Sequence, residues 1–157
     1  MIFQKILVPL DGSDHSRRAL ESAIQIAKSF NSKLMLLTVH HVTITPVTSP
    51  ELTIQAPVIV PDASAAEMTE RAIEAAHNYD KKILAEAEAK VRSEKIEVET
   101  ELIDGNAVEE IVRKSEEGKF DLIIMGARGL STIKKLFIGS VSDGVIKKAP
   151  CPVLIVK

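Results

Sequence analysis

The sequence predicts an α/β fold built on an open parallel sheet with helices on both faces. Short apolar runs alternate with segments of helical spacing, which gives the element order β-α-β-α-β-α-β-α-β. Most of the runs are almost continuously apolar, as strands covered on both faces must be. The 157 residues suit one domain with an ordinary core, so residues 1–157 are expected to form a single unit with right-handed crossovers.

The first predicted strand is "KILVPL", residues 5–10, and the turn "DGSD" ends it. The next segment has the spacing of a helix, with apolar positions at Ala19, Ala23, Ile26, Ala27 and Phe30. The chain therefore opens with a strand, a tight turn and a helix.

Four further strands are predicted at "KLMLLTVHHV" (33–42), "VETELI" (98–103), "DLIIMG" (121–126) and "PVLIV" (152–156). A long helix between the second and third strands has one apolar face, formed by Met68, Ala72, Ala75, Tyr79, Ile83, Ala87 and Val91. Capping-box pairs predict where three helices begin: Ser64 with Glu67, Asn106 with Glu109, and Ser140 with Asp143.

The segment from Thr43 to Ala63 interrupts this alternation and is predicted to be a long loop. It is rich in Pro, Thr and Val, and Glu51 and Asp62 are its charged residues. Loops of this length in a compact domain are usually functional or disordered. Two interpretations stay open here, a flexible crossover and a flap that covers the site or a partner subunit.

The composition argues against several classes of partner. Twenty basic and 22 acidic residues give a formal net charge of −2, which provides no field for gathering nucleic acid or an anionic membrane. The start of the chain does not resemble a signal peptide, and no apolar run reaches the ~18 residues of a membrane span. A single cysteine, Cys151, excludes an intrachain disulfide and suits a reducing compartment, so a cytoplasmic location is expected.

Two glycine-containing turns follow predicted strands, "DGSD" after the first and "GARG" after the fourth. Ligands of open α/β sheets bind beyond the carboxyl ends of the strands, where the strand order reverses. Glycines let a backbone approach a ligand closely, and the exposed N–H groups of such turns bind anions. The sequence therefore predicts a phosphate site, although it contains neither G-x-G-x-x-G nor the Walker pattern G-x-x-x-x-G-K-[ST].

The spacing of Gly126, Gly129 and Gly139-Ser140 is G-2x-G-9x-G-[ST]. This spacing resembles the nucleotide-binding signature of the universal stress protein family. The opening "KILVPLDGSDHSRRAL" and the closing "KKAPCPVLIVK" are also similar to that family, so the resemblance covers essentially the whole chain. It implies a Rossmann-like, adenine nucleotide alpha hydrolase-like sheet of order 3-2-1-4-5, with ATP as the ligand, accompanied by Mg²⁺ or Mn²⁺. It also implies a non-enzymatic or barely enzymatic regulator of a stress response.

Carried over position by position, the resemblance assigns residues to the two parts of the nucleotide. The adenine and ribose would lie near Pro9, Asp11 and Val39, and the phosphates near Met125, Gly126, Gly129, Gly139, Ser140 and Val141. Arg128 lies inside the glycine loop and either pairs with a phosphate oxygen or faces solvent. Asp11 either contacts the ribose or Mg²⁺, or caps the helix that starts near Ser13.

Other chemistries are less well supported by the residues. The stretch "LDGSDHS" is weakly similar to the S-G-G-x-D-S loop of ATP pyrophosphatases, which leaves a substrate-adenylating enzyme as the alternative function. A receiver domain is less favoured, because the chain lacks the acidic cluster that it needs. We expect no resident metal site, since His40 and His41 have no Cys or carboxylate at ligand spacing, and no catalytic residues are assigned.

The last predicted strand suggests how the chain associates. With the order implied by the family, it lies at a sheet edge, and Val153, Leu154, Ile155 and Val156 form an apolar run there. Unpaired edge strands invite association. We therefore predict a homodimer through the C-terminal strand.

Overall fold

The structure is a computed structural model that describes residues 2–41, 63–130 and 138–157. Five strands form one parallel sheet of order β3-β2-β1-β4-β5, which confirms the predicted fold class and strand order. The strands are β1 Lys5–Pro9, β2 Lys33–His40, β3 Val98–Asp104, β4 Leu122–Gly126 and β5 Val153–Val156. The helices are α1 Asp14–Phe30, α2 Ala63–Ser93, α3 Ala107–Glu117 and α4 Ser140–Lys148.

Strand β1 lies at the centre of the sheet, between β2 and β4. The chain moves from β1 to β2 and β3 on one side, and then returns to place β4 and β5 on the other. The strand order therefore reverses between β1 and β4, and the turns that follow these two strands meet at the same edge of the sheet.

The sheet has an apolar core on each face. Alternate residues of the strands, such as Ile6, Leu36 and Ile124, pack with α1 and α2. The intervening residues, such as Leu7, Leu37, Ile123 and Met125, pack with Ile111 of α3 and Val145 of α4. This alternation follows from the period of two along a strand, and it decides which face each site residue occupies.

The predicted helix starts are partly confirmed. Asn106 is the N-cap of α3 and accepts a hydrogen bond from the Glu109 N–H, as the capping pair indicated. The prediction for Ser140 was wrong by one residue, because Gly139 is the N-cap and Ser140 is the first residue of α4. The prediction for Ser64 was also displaced, since α2 already begins at Ala63.

The predicted apolar face of α2 is buried only in its C-terminal half. Ala87 and Val91 lie in the core, whereas Met68 is 71% exposed and Tyr79 is also exposed. A helix of 31 residues is about 46 Å long, while a seven-residue strand spans only about 23 Å, so the sheet cannot cover both halves. The overhanging half of α2 keeps its apolar side chains in solvent.

Two other predictions concern Phe30 and the segment from Thr43 to Ala63. Phe30, predicted on the apolar face of α1, is exposed at the end of that helix, where its ring meets Phe3 edge-on. The predicted loop from Thr43 to Ala63 lies outside the described residues except for Ala63, which begins α2. Among the helices described, none is long and apolar enough to cross a membrane.

Candidate functional site

A cavity of about 340 Å³ opens at the carboxyl ends of the strands, beside the point where the strand order reverses. Its volume falls within the range of small-molecule sites. The structure brings all the predicted site residues to its wall: Pro9, Asp11, Val39, Met125, Gly126, Arg128, Gly129, Gly139, Ser140 and Val141. The cavity lies on the α3 and α4 face of the sheet.

The wall of the cavity changes character from one side to the other. Val39, Ile111 and Met125 belong to the apolar core between the sheet and α3. Asp11 and Arg128 bring the charged groups, close to the glycines. An apolar wall with a few convergent polar groups suits an organic ligand that has one flat apolar part and one charged part.

The glycine loop, residues 126–129, is held between the N-termini of two helices. The Ser13 hydroxyl at the start of α1 donates to the Arg128 carbonyl at 3.3 Å. The Ser142 hydroxyl in the first turn of α4 donates to the Gly126 carbonyl at 2.8 Å, and the Gly139 N–H donates to the Ala127 carbonyl at 2.7 Å. Hydrogen bonds within the protein therefore fix the loop from both sides.

The three glycines of the motif are required to different degrees. A Cβ on Gly126 would stand 2.7 Å from the His15 carbonyl carbon and 2.8 Å from the Ser16 nitrogen, which are backbone atoms of α1. A Cβ on Gly129 would stand 2.6 Å from Oδ2 of Asp11, a side-chain atom that can move. Among the residues that the structure describes, a Cβ on Gly139 would meet nothing closer than 3.4 Å. Gly126 is thus needed for helix packing, and Gly129 for the approach of the loop to Asp11.

The N-cap residue of α4 makes no side-chain capping hydrogen bond. Ser13 caps α1 by accepting from the Ser16 N–H, and Asn106 caps α3 in the same way, but Gly139 has no side chain with which to cap α4. The N–H groups at the start of a helix have no partner within it and carry its partial positive charge. Because Ser140 and Val141 line the cavity, this uncapped turn is suited to bind an anion there.

Asp11 has two roles in the turn after β1. Its Oδ1 accepts a hydrogen bond from the Ser13 N–H at 3.0 Å, and its Oδ2 lies beside Gly129. It is not the N-cap of α1, since that position is held by Ser13. Among the described residues that line the cavity, Asp11 and Arg128 are the ones with charged side chains.

Two further nucleophile and base candidates among the described residues, Cys151 and His15, do not line the cavity. Burial, with a smaller effect of the Asp121 carboxylate, raises the pKa of the Cys151 thiol, so it stays protonated at neutral pH. His15 backs Gly126, and its Nδ1 is buried without a hydrogen-bond partner among the described residues. No histidine lines the described part of the cavity wall.

Six lining residues were missed by the sequence analysis: Leu10, Leu37, Ala107, Ile111, Leu130 and Ser142. Leu130 carried a usable signal, because an apolar side chain next to a glycine turn has no core to enter. Ser142 carried a weaker signal as a second hydroxyl in the same helical turn as Ser140. No sequence signal marked Ile111 and Leu37 as site residues, since apolar residues at such positions are typical of an ordinary core.

The chain is similar to known proteins in both sequence and structure. The model of the universal stress protein family matches residues 2–157. The universal stress protein YxiE of Bacillus subtilis (strain 168) is 35% identical over 156 residues, which cover 99% of this chain and 100% of that protein. The structure of the universal stress protein UspA from Lactobacillus plantarum has a TM-score of 0.80 at 22% identity, covering 100% of this chain and 99% of that one.

A second solved structure is informative about ligands. It is a universal stress protein in complex with cAMP, with a TM-score of 0.64 and 28% sequence identity. The match covers 99% of this chain and 98% of that chain.

Proposed function

Because the chain belongs to the universal stress protein family, we propose that it binds ATP in the cavity and acts as a nucleotide-dependent regulator of a stress response. In this proposal nucleotide occupancy is the signal, and the protein works in the cytoplasm. The proposal contains two steps, binding of an adenine nucleotide and selection of ATP, and they can be tested separately.

The observation that carries the proposal is the uncapped start of α4 beside the fixed glycine loop. Together they place the glycine loop, Ser140 and the first turn of α4 on the wall of a cavity that is otherwise largely apolar. A related protein in complex with cAMP supports an adenine nucleotide as the ligand class. A phosphate at a helix N-terminus and a base against an apolar wall would satisfy both ends of the cavity.

In this proposal different lining residues contact the base, the ribose and the phosphates of the nucleotide. Pro9 and Val39 would contact the base, and Asp11 the ribose. The glycine loop, Ser140 and Val141 would bind the phosphates, with Arg128 available to pair with a phosphate oxygen. Mg²⁺ or Mn²⁺, when bound with ATP, would neutralise part of the triphosphate charge. Such cations prefer oxygen ligands, and Asp11 is the carboxylate on the described wall that could supply one.

Calorimetry on protein stripped of nucleotide tests the proposal. Several charge-assisted hydrogen bonds of roughly 1.5 to 3 kcal/mol each are consistent with micromolar binding, which corresponds to about −8 kcal/mol. We expect ATP to bind with one site per chain, and parallel titrations with ADP, AMP and cAMP to rank the phosphate contacts. The absence of heat with ATP and with all three other nucleotides at high micromolar concentration would exclude the cavity as a nucleotide site.

We further propose that turnover is slow or absent. The described cavity wall offers donors for phosphate, but its one carboxylate is already held by the Ser13 N–H, and no histidine stands beside it to activate water. The expected rate of phosphate or pyrophosphate release is well below about 1 s⁻¹, under the usual range of enzymes. Release at or above that rate, abolished by Asp11→Asn, would favour the ATP pyrophosphatase alternative.

The sheet edge at β5 supports a homodimer as the assembled form. Strand β5 pairs with β4 on one side, and Leu154 is 38% exposed. Two copies of β5 paired across a two-fold axis would satisfy the free backbone groups and bury this side chain. Light scattering at tens of micromolar should report a dimer for the native protein and a monomer for Leu154→Lys, because lysine opposes edge pairing.

The control for the dimer is Ile73→Lys, which places the same charge at an exposed apolar position of α2. It should leave the dimer intact, and deletion of the residues after Pro152 should give monomers or aggregates. A native protein that is monomeric at this concentration would rule out the interface.

A further inference from the structure

A second group of polar side chains lies on the opposite face of the sheet from the cavity. Val39 lines the cavity, and the next residue, His40, therefore points to the α2 face. There it meets His77 and Asp80 of α2, and His77 pairs in turn with Asp104 at the end of β3. We call these four residues the histidine cluster.

The contacts within the histidine cluster are close. His40 Nδ1 lies 2.7 Å from Asp80 Oδ2, and His77 Nε2 lies 3.0 Å from Asp104 Oδ1. The two imidazole rings meet edge-on with their centroids 4.3 Å apart. One ligand atom from each of His40, His77 and Asp104 falls within 4.8 Å of the others. The sequence analysis expected no metal site because His40 has no Cys or carboxylate at ligand spacing, and Asp80 and Asp104 join the histidine cluster only through the fold.

We propose that His40, His77 and Asp104 form a binding site for a divalent transition metal of the zinc type, with Asp80 as the residue that orients His40. Two imidazoles and one carboxylate are a common three-residue ligand set for zinc, with a fourth position left for water or another ligand. Because Nδ1 of His40 is engaged by Asp80, Nε2 is the ring nitrogen available to the metal.

The contact between Asp80 and His40 distinguishes a metal site from two ordinary His–Asp ion pairs. Histidines that bind metals almost always donate their other ring N–H to a carboxylate or carbonyl, which fixes the tautomer and makes the ligand more basic. The His40 and Asp80 side chains are only 11% and 17% exposed, so this orientation is well defined. Asp104 is 58% exposed, which leaves a path by which an ion can reach the site.

The distances require small adjustments on binding. Zinc bonds of about 2.0 to 2.2 Å at tetrahedral angles separate two ligand atoms by roughly 3.4 Å. The His77 and Asp104 atoms, 3.0 Å apart, must therefore open slightly, and the other two pairs, each within 4.8 Å, must adjust to the same separation. Two ring nitrogens favour zinc, cobalt or nickel over magnesium and calcium, which prefer oxygen ligands.

Metal binding here would join parts of the chain that are distant in sequence. His40 and Asp80 are 40 positions apart, and His77 and Asp104 are 27 apart. The ion would clamp the middle of α2 to the ends of β2 and β3. Because a preformed site does not exist in the unfolded chain, binding of the metal would stabilise the folded state.

The test is calorimetric titration of ZnCl₂ into nucleotide-free protein that carries no affinity tag. We expect one zinc per chain, and a melting temperature raised by roughly 5 to 10 °C at 100 times Kd. His77→Ala and Asp104→Asn should each weaken binding by more than about 30-fold, and Asp80→Asn by about 10- to 100-fold. Mg²⁺ should give no comparable heat.

The matched control is His41→Ala, which removes the neighbouring histidine that contacts the Gly105 carbonyl instead of the histidine cluster. It should bind zinc as the native protein does. Cobalt gives a second readout, because its visible spectrum should show tetrahedral bands with the native protein and lose them with His77→Ala. Folded His77→Ala should bind ATP as the native protein does, which would show that a loss of zinc binding does not come from damage to the nucleotide site. Weak or absent zinc binding by the native protein, or binding unchanged in His77→Ala, would overturn the proposal.

Discussion

Gly129→Val is expected to weaken ATP binding by about 100-fold or more while the protein stays folded. The new Cβ would stand 2.6 Å from Oδ2 of Asp11, so the carboxylate must move away from the turn. The branched side chain would also occupy the cavity wall and cover the N–H groups of the loop. Loss of contacts worth about 3 kcal/mol in total corresponds to a factor of roughly 100.

Calorimetry and thermal unfolding on the same samples separate the two effects. The melting temperature of Gly129→Val should stay near that of the native protein, because the atom displaced belongs to the end of a side chain. Ser140→Ala is the milder companion, since it removes one hydroxyl donor and should weaken ATP binding by about tenfold. Native affinity in Gly129→Val would show that the nucleotide does not lie against this loop.

Gly126→Ala should have the opposite signature, a loss of stability. Its Cβ would collide with backbone atoms of His15 and Ser16, and these cannot move unless α1 moves as a whole. Overpacking of this kind costs about 1 to 3 kcal/mol, and the rigid neighbour places this case near the upper end. Thermal unfolding without nucleotide should show a melting temperature lower by roughly 6 to 12 °C.

Gly139→Ala is the control for that experiment. Its Cβ would be in ordinary contact with the Ala127 carbonyl at 3.4 Å, so the cost is limited to the poorer N-cap, about 1 kcal/mol or less. A melting temperature of Gly126→Ala within about 2 °C of the Gly139→Ala value would contradict the assignment of Gly126 to helix packing.

The strands were the most predictable part of the molecule. The predicted strand ends agree with the observed ones to within two residues, because apolar runs in a parallel sheet are bounded by turn residues. Sequence patterns say less about how far an element extends beyond its neighbours. The predicted apolar face of α2 runs from Met68 to Val91, yet Met68 is 71% exposed whereas Val91 lies in the core.

The resemblance to the family, which the glycine spacing supports, implied the positions of the site residues but not their separate physical roles. That Gly126 meets the backbone of α1 depends on the angle at which the helix crosses β4, which no local pattern encodes. The histidine cluster was missed for a related reason. His40 and Asp80 come together only because β2 and α2 pack on one face, so a search for ligands at short spacing could not find the pair.

The hydrogen bonds that hold the glycine loop have a consequence for the thermodynamics of binding. Ser13, Ser142 and the Gly139 N–H fix the backbone of residues 126–129 through hydrogen bonds within the protein. Ordering a residue costs about 1 to 2 kcal/mol of conformational entropy, and here that loss occurs when the chain folds. A phosphate bound there would meet a preorganised loop, and a larger share of its contact energy would appear as affinity. The free-energy cost of ordering the loop is therefore part of the folding of α1 and α4 and is not subtracted from ligand affinity.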